Sequence, residues 1–491
     1  MTRMIVHAHF YQPPRENPWT NEIPEQPTAA PAHDWNERVH SECYRPNTRA
    51  KVATEKGERE VNNFERISFN VGPTLMKWME AADPATYERI LEADRESLER
   101  LGHGNAIAQA YHHTILPLSS YRDIRTQVRW GLADFKHRFG RDSEGIWLPE
   151  TAVNADVLKV LIEEGVDFTI LAPHQGSRWR GPDGRWIMPP LDTRLPYRYF
   201  HPDGSGRSIT LMFYDGEIAR AIAFEQASSS ADGFLDLFES KAPAEDQVIH
   251  AATDGETYGH HHRFSELGLA YALFEAGPRR GFEITNYASY LERFPAELEA
   301  DVLSGKGSSW SCAHGVGRWC RDCGCSTGGD EGWNQEWRAP LRDALELIRH
   351  AANEAFDRLG AALFVDPWRA RDRYIEVLVG ASSFESLLAS EAGGPLDEDG
   401  GRRARTLLEL QERAMAMYTS CGWFFNDIGG IETEQVLRYA AATLEILGAD
   451  LGQPTPETAV IDLLQSARSN DPDIGSGADV YMRAASMTAA P

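Results

Sequence analysis

Gly145-Ile146-Trp147-Leu148-Pro149-Glu150 joins a short apolar run to a proline and a carboxylate. The run is too short for a helix and suits a buried strand. Residues 154–164 then carry helical periodicity and stop at Gly165, where a C-cap glycine belongs. Residues 168–172 are apolar again and read as the next strand. Outward in both directions the alternation continues. Residues 4–6, 107–111, 209–214 and 248–252 read as strands, and residues 87–101 and 121–139 as helices. Short strands alternating with helices predict a parallel α/β fold. Polar signals at the strands' C-terminal ends predict a barrel.

After about residue 335 the strands cease. Residues 336–359, 367–390, 402–419 and 432–447 are long and amphipathic, as in a helical bundle. The expected organisation is a barrel over 1–335, a helical bundle over 336–450 that contributes to the cleft, and a loosely packed tail over 451–491. Within the barrel part, residues 14–64 are rich in Pro, Glu, Asn and Arg and predict a long excursion over the barrel mouth. Residues 308–333 form a Cys-rich loop.

The 491 residues exceed what one small domain needs. A net charge of −25 disfavours a duplex-binding surface, so no nucleic-acid partner is expected. No stretch approaches the roughly 20 apolar residues of a membrane span. The apolar run near Met4 is too short for a signal peptide, and a cytoplasmic setting is expected. Oligomeric state leaves no mark on the sequence.

Two acid-bearing strand ends carry the chemistry. Glu150 follows Trp147-Leu148-Pro149, and Asp254-Gly255-Glu256 ends the apolar run before it. Two carboxylates from separate strand ends can cleave a glycosidic bond, one attacking the sugar and one moving a proton. Glu150 alone could equally stabilise the following helix start. Asp215-Gly216-Glu217 repeats the Asp-Gly-Glu triplet, and residue chemistry alone does not choose among Asp215, Glu217, Asp254 and Glu256. His7 and His9 share one face of a strand end, with Gln12 just beyond. They suit a metal site or hydrogen bonds to sugar hydroxyls. Four cysteines, Cys312, Cys320, Cys323 and Cys325, fall close together with His314. Cys320, Cys323 and Cys325 can converge in a tight turn, with Cys312 or His314 as fourth ligand, which suits a closed structural Zn²⁺ site; packed thiols are the plainer alternative.

These stretches resemble glycoside hydrolase family 57, in the branch with an uncharacterised domain after the barrel. His7-Ala8-His9-Phe10-Tyr11-Gln12-Pro13 resembles the first motif. Gly145-Ile146-Trp147-Leu148-Pro149-Glu150 resembles the third and Asp254-Gly255-Glu256-Thr257-Tyr258-Gly259-His260 the fourth. Ser420-Cys421-Gly422-Trp423-Phe424-Phe425-Asn426-Asp427 resembles the fifth. The second motif departs: counting back from His113, its Glu falls on Asn105. The resemblance implies a (β/α)7 incomplete barrel followed by helices, and a retaining enzyme on α-linked glucans, either a hydrolase or a transglycosidase. It implies Glu150 as nucleophile and Asp254 as acid/base. His7, His9, Gln12, Trp147, Asp215, Glu256, His260 and Trp423 are then expected to bind an α-glucan or oligosaccharide, with no cofactor for catalysis. Two other readings compete: a metal-dependent deacetylase or mannosidase using the His pairs, and a non-catalytic carbohydrate-binding protein.

Overall fold

The computed structural model describes residues 2–241 and 247–486. Its chain contacts divide it into two bodies. One comprises Met1–Gln12, Glu25–Gln109 and Arg138–Gly305, the other Pro13–Pro24, Ala110–His137 and Lys306–Pro491. The Cys-rich segment, expected with the barrel, thus packs with the helices.

The first body is built on parallel strands: β1 Thr2–Phe10, β2 Ser68–Val71, β3 Ala108–Gln109, β4 Gly145–Trp147, β5 Phe168–Leu171, β6 Ser208–Phe213 and β7 Val248–Asp254. β1 lies between β7 and β2, with His9 opposite both Asp254 and Asn70. A bridge from Phe69 to Ala106 carries the sheet to the start of β3. From there β3, β4, β5 and β6 pair in turn. Asp215 N–H then donates to His250 O at 2.8 Å, which joins the end of β6 back to β7. Among the described residues β6 and β7 form no paired ladder, which matches the expected incomplete (β/α)7 closure.

The alternation along β1 sets the interior. Ile5, His7 and His9 point one way, and Met4, Val6, Ala8 and Phe10 the other, with all seven buried. The crossover helices begin as the sequence dictates. Asn154 accepts from Val157 N–H, and Asp215 from the N–H groups of Glu217 and Ile218. Strand Pro196–Phe200 runs antiparallel to β6 and continues through Leu298–Val302 to Gly176–Arg180. The sequence pattern did not foretell this ladder, because its strands are half-exposed and rich in Arg.

Residues 25–64 are a strap with structure of its own. Asp34 caps a helical run that starts at Trp35 and continues to Thr48, and Ala50–Thr54 pairs with Gly57–Val61. Asn47 Nδ2 donates to Tyr258 O at 2.6 Å, and Asn63 Nδ2 to Glu266 O at 3.0 Å. The strap is thereby fastened to the segment that follows β7.

The second body is helical: Arg338–Gly360, Pro367–Arg373, Phe384–Glu391, Glu398–Ala416 and Ile431–Glu445, with Tyr121–Phe139 contributing most of its length. Arg371 is wholly buried and donates to Asp123 at 2.8 Å, Gln411 at 3.0 Å and Thr126 at 2.7 Å. A buried guanidinium is tolerable when it is paired with an acid and its terminal nitrogens are bonded in this way; its Nε meets no partner among the described residues. No described helix is long and apolar enough to cross a membrane.

Residues 451–486 differ from the loose tail expected over 451–491, of which 487–491 lie outside the described residues. Glu457–Ser466 and Gly477–Ser486 are helices that bury Val460, Leu464, Val480 and Tyr481. Their turn-rich flanks hid two short amphipathic faces. Leu464→Ala should therefore cost about 2–5 kcal/mol, as a buried leucine does. The urea midpoint checks it, and a change below about 0.5 kcal/mol would mean the segment is loosely packed after all.

Candidate active site

The interior of the barrel is lined by flat polar groups. His7 Nδ1 lies 3.1 Å from Ser68 Oγ, and its Nε2 3.2 Å from Asn70 Oδ1. Asn70 Nδ2 is 2.9 Å from His9 Nδ1 and donates to Gln109 Oε1 at 2.6 Å. Trp147, from β4, lies flat against both imidazoles, with centroids 4.8 Å from His7 and 5.2 Å from His9. Burial pushes both imidazoles down to about 3. They are neutral at physiological pH, each able to donate at one nitrogen and accept at the other.

Above this layer stand the two acids. Glu150 is half-buried just past β4 and has φ 58° and ψ 22°; Thr151 follows with φ 48°. Consecutive left-handed non-glycine residues are strained and persist only when something holds them. Gln175 does so. Its Nε2 donates to Thr151 O at 2.8 Å, and its Oε1 accepts from Thr151 Oγ1 at 2.8 Å and from Ala172 N–H at 2.8 Å. Sequence reasoning missed Gln175, since nothing local marks a residue that acts 24 positions away.

Asp254 ends β7. Its carboxyl is held well above the usual carboxylate range, first by the surrounding protein mass, then by the charges of Glu256 and Glu150. Its surface is nonetheless exposed. A group at the bottom of an opening can be both crowded and wet, and water there screens part of the shift. The direction stands because both neighbours are acids. The charge of Asp254 acts in turn on Tyr214, whose hydroxyl burial has already raised. Glu150, Asp254 and Glu256 therefore form one electrostatic group.

Glu256 is buried, and burial raises it to about 7 against the bonds that favour its ionised form. Tyr44 Oη donates to its Oε1 at 2.6 Å and Tyr11 N–H at 3.1 Å, while Gln12 Nε2 donates to Tyr44 Oη at 3.1 Å. Gly255, between the two acids, rests on Phe10: a Cβ there would come within 2.3 Å of the ring. Only glycine lets the chain turn from Asp254 to Glu256 at that approach. Tyr44 went unnoticed because the strap that carries it has no periodicity.

The remaining expected residues divide. Wholly buried His7 and Trp147 support the floor rather than offer a face to a ligand, while His9 and Gln12 keep slight exposure. His260 Nδ1 is 2.5 Å from Glu42 Oε2, and Trp35 meets its ring edge-on. Asp215 spends Oδ1 on its helix cap and lies 3.6 Å from Lys241 Nζ. Asn105 is buried and structural, with Nδ2 donating to Phe64 O at 3.0 Å. The polar side chain that β3 sends to the interior is Gln109. Trp423 is a correction: in the helical body it is wholly buried, its Nε1 donates to Arg338 O at 3.2 Å, and Arg342 covers its ring at 4.6 Å. No ring face is left for a sugar. His113 Nδ1 and Ser420 Oγ, 2.7 Å apart, bring the second and fifth matching stretches together in that body.

The metal-site alternative for the His pairs fares poorly, since Asn70 and Ser68 already occupy the imidazole nitrogens of His7. Among the described residues the group with metal-binding convergence is Cys312, His314, Cys323 and Cys325. That corrects the expected set: Cys320 Sγ turns to Val316 O at 3.7 Å, and His314 stands in its place. The turn at residues 317–320 rotates Cys320 away from the other thiols.

The profile described as "Glycosyl hydrolase family 57" matches residues 4–302, and a "Domain of unknown function (DUF3536)" matches residues 333–490. A 4-alpha-glucanotransferase of Thermococcus litoralis is 22% identical over 263 residues, which are 52% of this chain and 36% of that protein. An alpha-amylase of Pyrococcus abyssi is 22% identical over 235 residues, 47% of this chain and 33% of that protein. The chain thus spans about a third of the length of the curated relatives it matches. Among solved structures, an exo-type maltose-forming amylase from Pyrococcus sp. ST04 superposes with a TM-score of 0.71 at 16% identity, covering 99% of this chain and 91% of that one. A branching enzyme from Pyrococcus horikoshii gives 0.57 at 15% identity, covering 98% and 96%. At such identities the likeness is one of fold.

The charge on Glu256 raises Asp254, so removing it must lower Asp254. Glu256→Gln should shift the titration of the Asp254 carboxyl, followed by carbon NMR, to lower pH. An unchanged or higher midpoint would mean that the two acids are not coupled.

Proposed function

We propose, since this chain belongs to glycosyl hydrolase family 57, that it is a retaining glycoside hydrolase or transglycosidase acting on α-linked glucans. The observation that carries the reading is the acid arrangement itself. A strained glutamate stands beside an aspartate whose carboxyl its charge helps to keep protonated. Glu150, fixed by the Gln175 clamp, attacks the anomeric carbon while Asp254 gives its proton to the leaving oxygen. The glycosyl-enzyme forms as the leaving group departs. Glu150 has then lost its charge in the ester bond, which lowers Asp254 and readies it to accept a proton from the acceptor. Water as acceptor gives hydrolysis, and a sugar hydroxyl gives transfer. The same two residues serve both outcomes. The relatives named above as amylase, glucanotransferase and branching enzyme support the α-glucan class.

Neutral His9 and the Tyr44-held Glu256 bond the sugar's hydroxyls in this reading. A cytoplasmic setting belongs to it as well, supported by a Cys-rich segment that suits a reducing compartment.

The test is incubation of the purified chain with glycogen, amylose and maltooligosaccharides, reading released sugar and chain-length redistribution. Proton NMR of the first product should show the α-anomer. Glu150→Gln should lower the rate by at least about 10³-fold with the fold intact; retention of more than about a tenth of the rate would remove Glu150 as nucleophile. A β-anomer as first product would make the reaction inverting.

Gln175 is a positioning residue. Gln175→Ala frees the Glu150-Thr151 turn, and kcat should fall about 100-fold with KM nearly unchanged. A loss of less than about twofold in kcat would show that the turn holds without the clamp.

A further inference from the structure

Three thiols and an imidazole converge in the helical body, outside the site just described. Cys312 Sγ lies 3.8 Å from Cys323 Sγ and 3.8 Å from Cys325 Sγ, and Cys325 Sγ lies 3.5 Å from His314 Nδ1. All four donor atoms fall within 4.8 Å of one another. A disulfide needs sulfurs at about 2.05 Å, so these distances describe no S–S bond. They match the edges of a coordination tetrahedron. With metal–sulfur bonds of about 2.3 Å and a metal–nitrogen bond near 2.0 Å, tetrahedral geometry sets the sulfur–sulfur edges at about 3.8 Å and the sulfur–nitrogen edges at about 3.5 Å.

The backbone is shaped to this convergence. Gly324, with φ +78°, reverses the chain between Cys323 and Cys325 and turns both thiols to one side. Gly317 lies beneath, where a Cβ would come within 3.1 Å of Cys323 Cβ and 3.4 Å of His314 Cβ. The electrostatics agree as well. Three thiolates on a divalent ion leave one negative charge. Buried Arg338 lies against this segment, its Nη1 donating to Cys325 O at 2.8 Å.

The segment that such an ion would close also holds a second one. Trp319 Nε1 donates to Ser420 O at 3.1 Å, and Arg318 Nη1 to Phe424 O at 2.9 Å. Arg338 Nη2 donates to Phe425 O at 3.1 Å, and Thr327 N–H to Asn426 Oδ1 at 2.8 Å. Residues 420–426 thus take their shape from partners within and beside the loop between Cys312 and Cys325.

We propose that Cys312, His314, Cys323 and Cys325 hold one Zn²⁺ in a closed structural site whose task is to fix the 312–325 loop and, through it, the Ser420–Asn426 backbone. Four protein ligands leave no open position, so the ion takes no part in bond cleavage. Soft thiolates with one imidazole select zinc over calcium or magnesium. Cys320 lies outside the set.

The test is elemental analysis of the full chain, purified under reducing conditions without added metal, with thiol labelling of the same sample. About one equivalent of zinc is expected in the wild type and in Cys320→Ser, and less than about a fifth in Cys325→Ser and His314→Ala. Cobalt substituted for zinc should show the thiolate charge-transfer and strong d–d bands of a tetrahedral ion, unchanged in Cys320→Ser. If the ligand variants fail to fold, the wild type alone decides. Alkylation of the native protein should mark Cys320 at least about tenfold faster than Cys312, Cys323 and Cys325, a difference that a strong chelator abolishes. Less than about half an equivalent of any metal, equal labelling of all four cysteines, a disulfide among them, or loss of zinc in Cys320→Ser would each overturn the proposal.

Discussion

A barrel of seven parallel strands has a narrower bore than the usual eight, and what fills it must be flat. Eight strands already leave room only for side chains. Here Trp147 lies across two imidazoles, and Asn70 threads between them to Gln109. His7, His9, Asn70 and the Gln109 Oε1 meet one another within the barrel, so the layer can be both buried and polar. The acids stand on this layer. His9 sits level with Asp254 on the neighbouring strand, and Trp147 is three residues before Glu150. If the bore widened, Glu150 and Asp254 would lose their floor.

Much of this was legible in the chain. Strand ends that carry an acid, glycines where helices stop and caps where they start are local signals, and the structure places β4, β5 and β7 where those signals fall. The His pair on β1 was legible because alternation fixes which face two residues share. What escaped has one physical cause: it depends on partners far away in sequence. Gln175 looks like any glutamine until Thr151 is folded against it. Tyr44 belongs to a strap without periodicity. Trp423 had the right chemistry for a sugar platform, but burial is a property of the packed body and not of the motif. Cys320 and His314 exchanged places because spacing limits reach and leaves rotation undetermined.

Electrostatics divides the labour among the acids. Glu256, which burial brings to about 7, is tied to Tyr11 and Tyr44 and has little freedom to move. Asp254 is reachable by water and raised by two like charges. In the reading proposed above, a carboxyl that gives and takes a proton needs that second environment, and one that holds hydroxyls needs the first. The glycine between them lets residues two apart occupy such different surroundings.

The strap has a further implication for how the protein opens. Asn47 and Asn63 tie it to the backbone of Tyr258 and Glu266, and Cys43 Sγ lies 3.4 Å from Gly255 O. The turn that follows Asp254 is a short 3-10 turn with backbone bonds of its own, and the strap adds to them from outside. Strap and turn then make one cooperative unit against local unfolding, although some two hundred residues separate them in sequence. Amide hydrogens in both would exchange with solvent together, and a protease that reaches one would find the other already released.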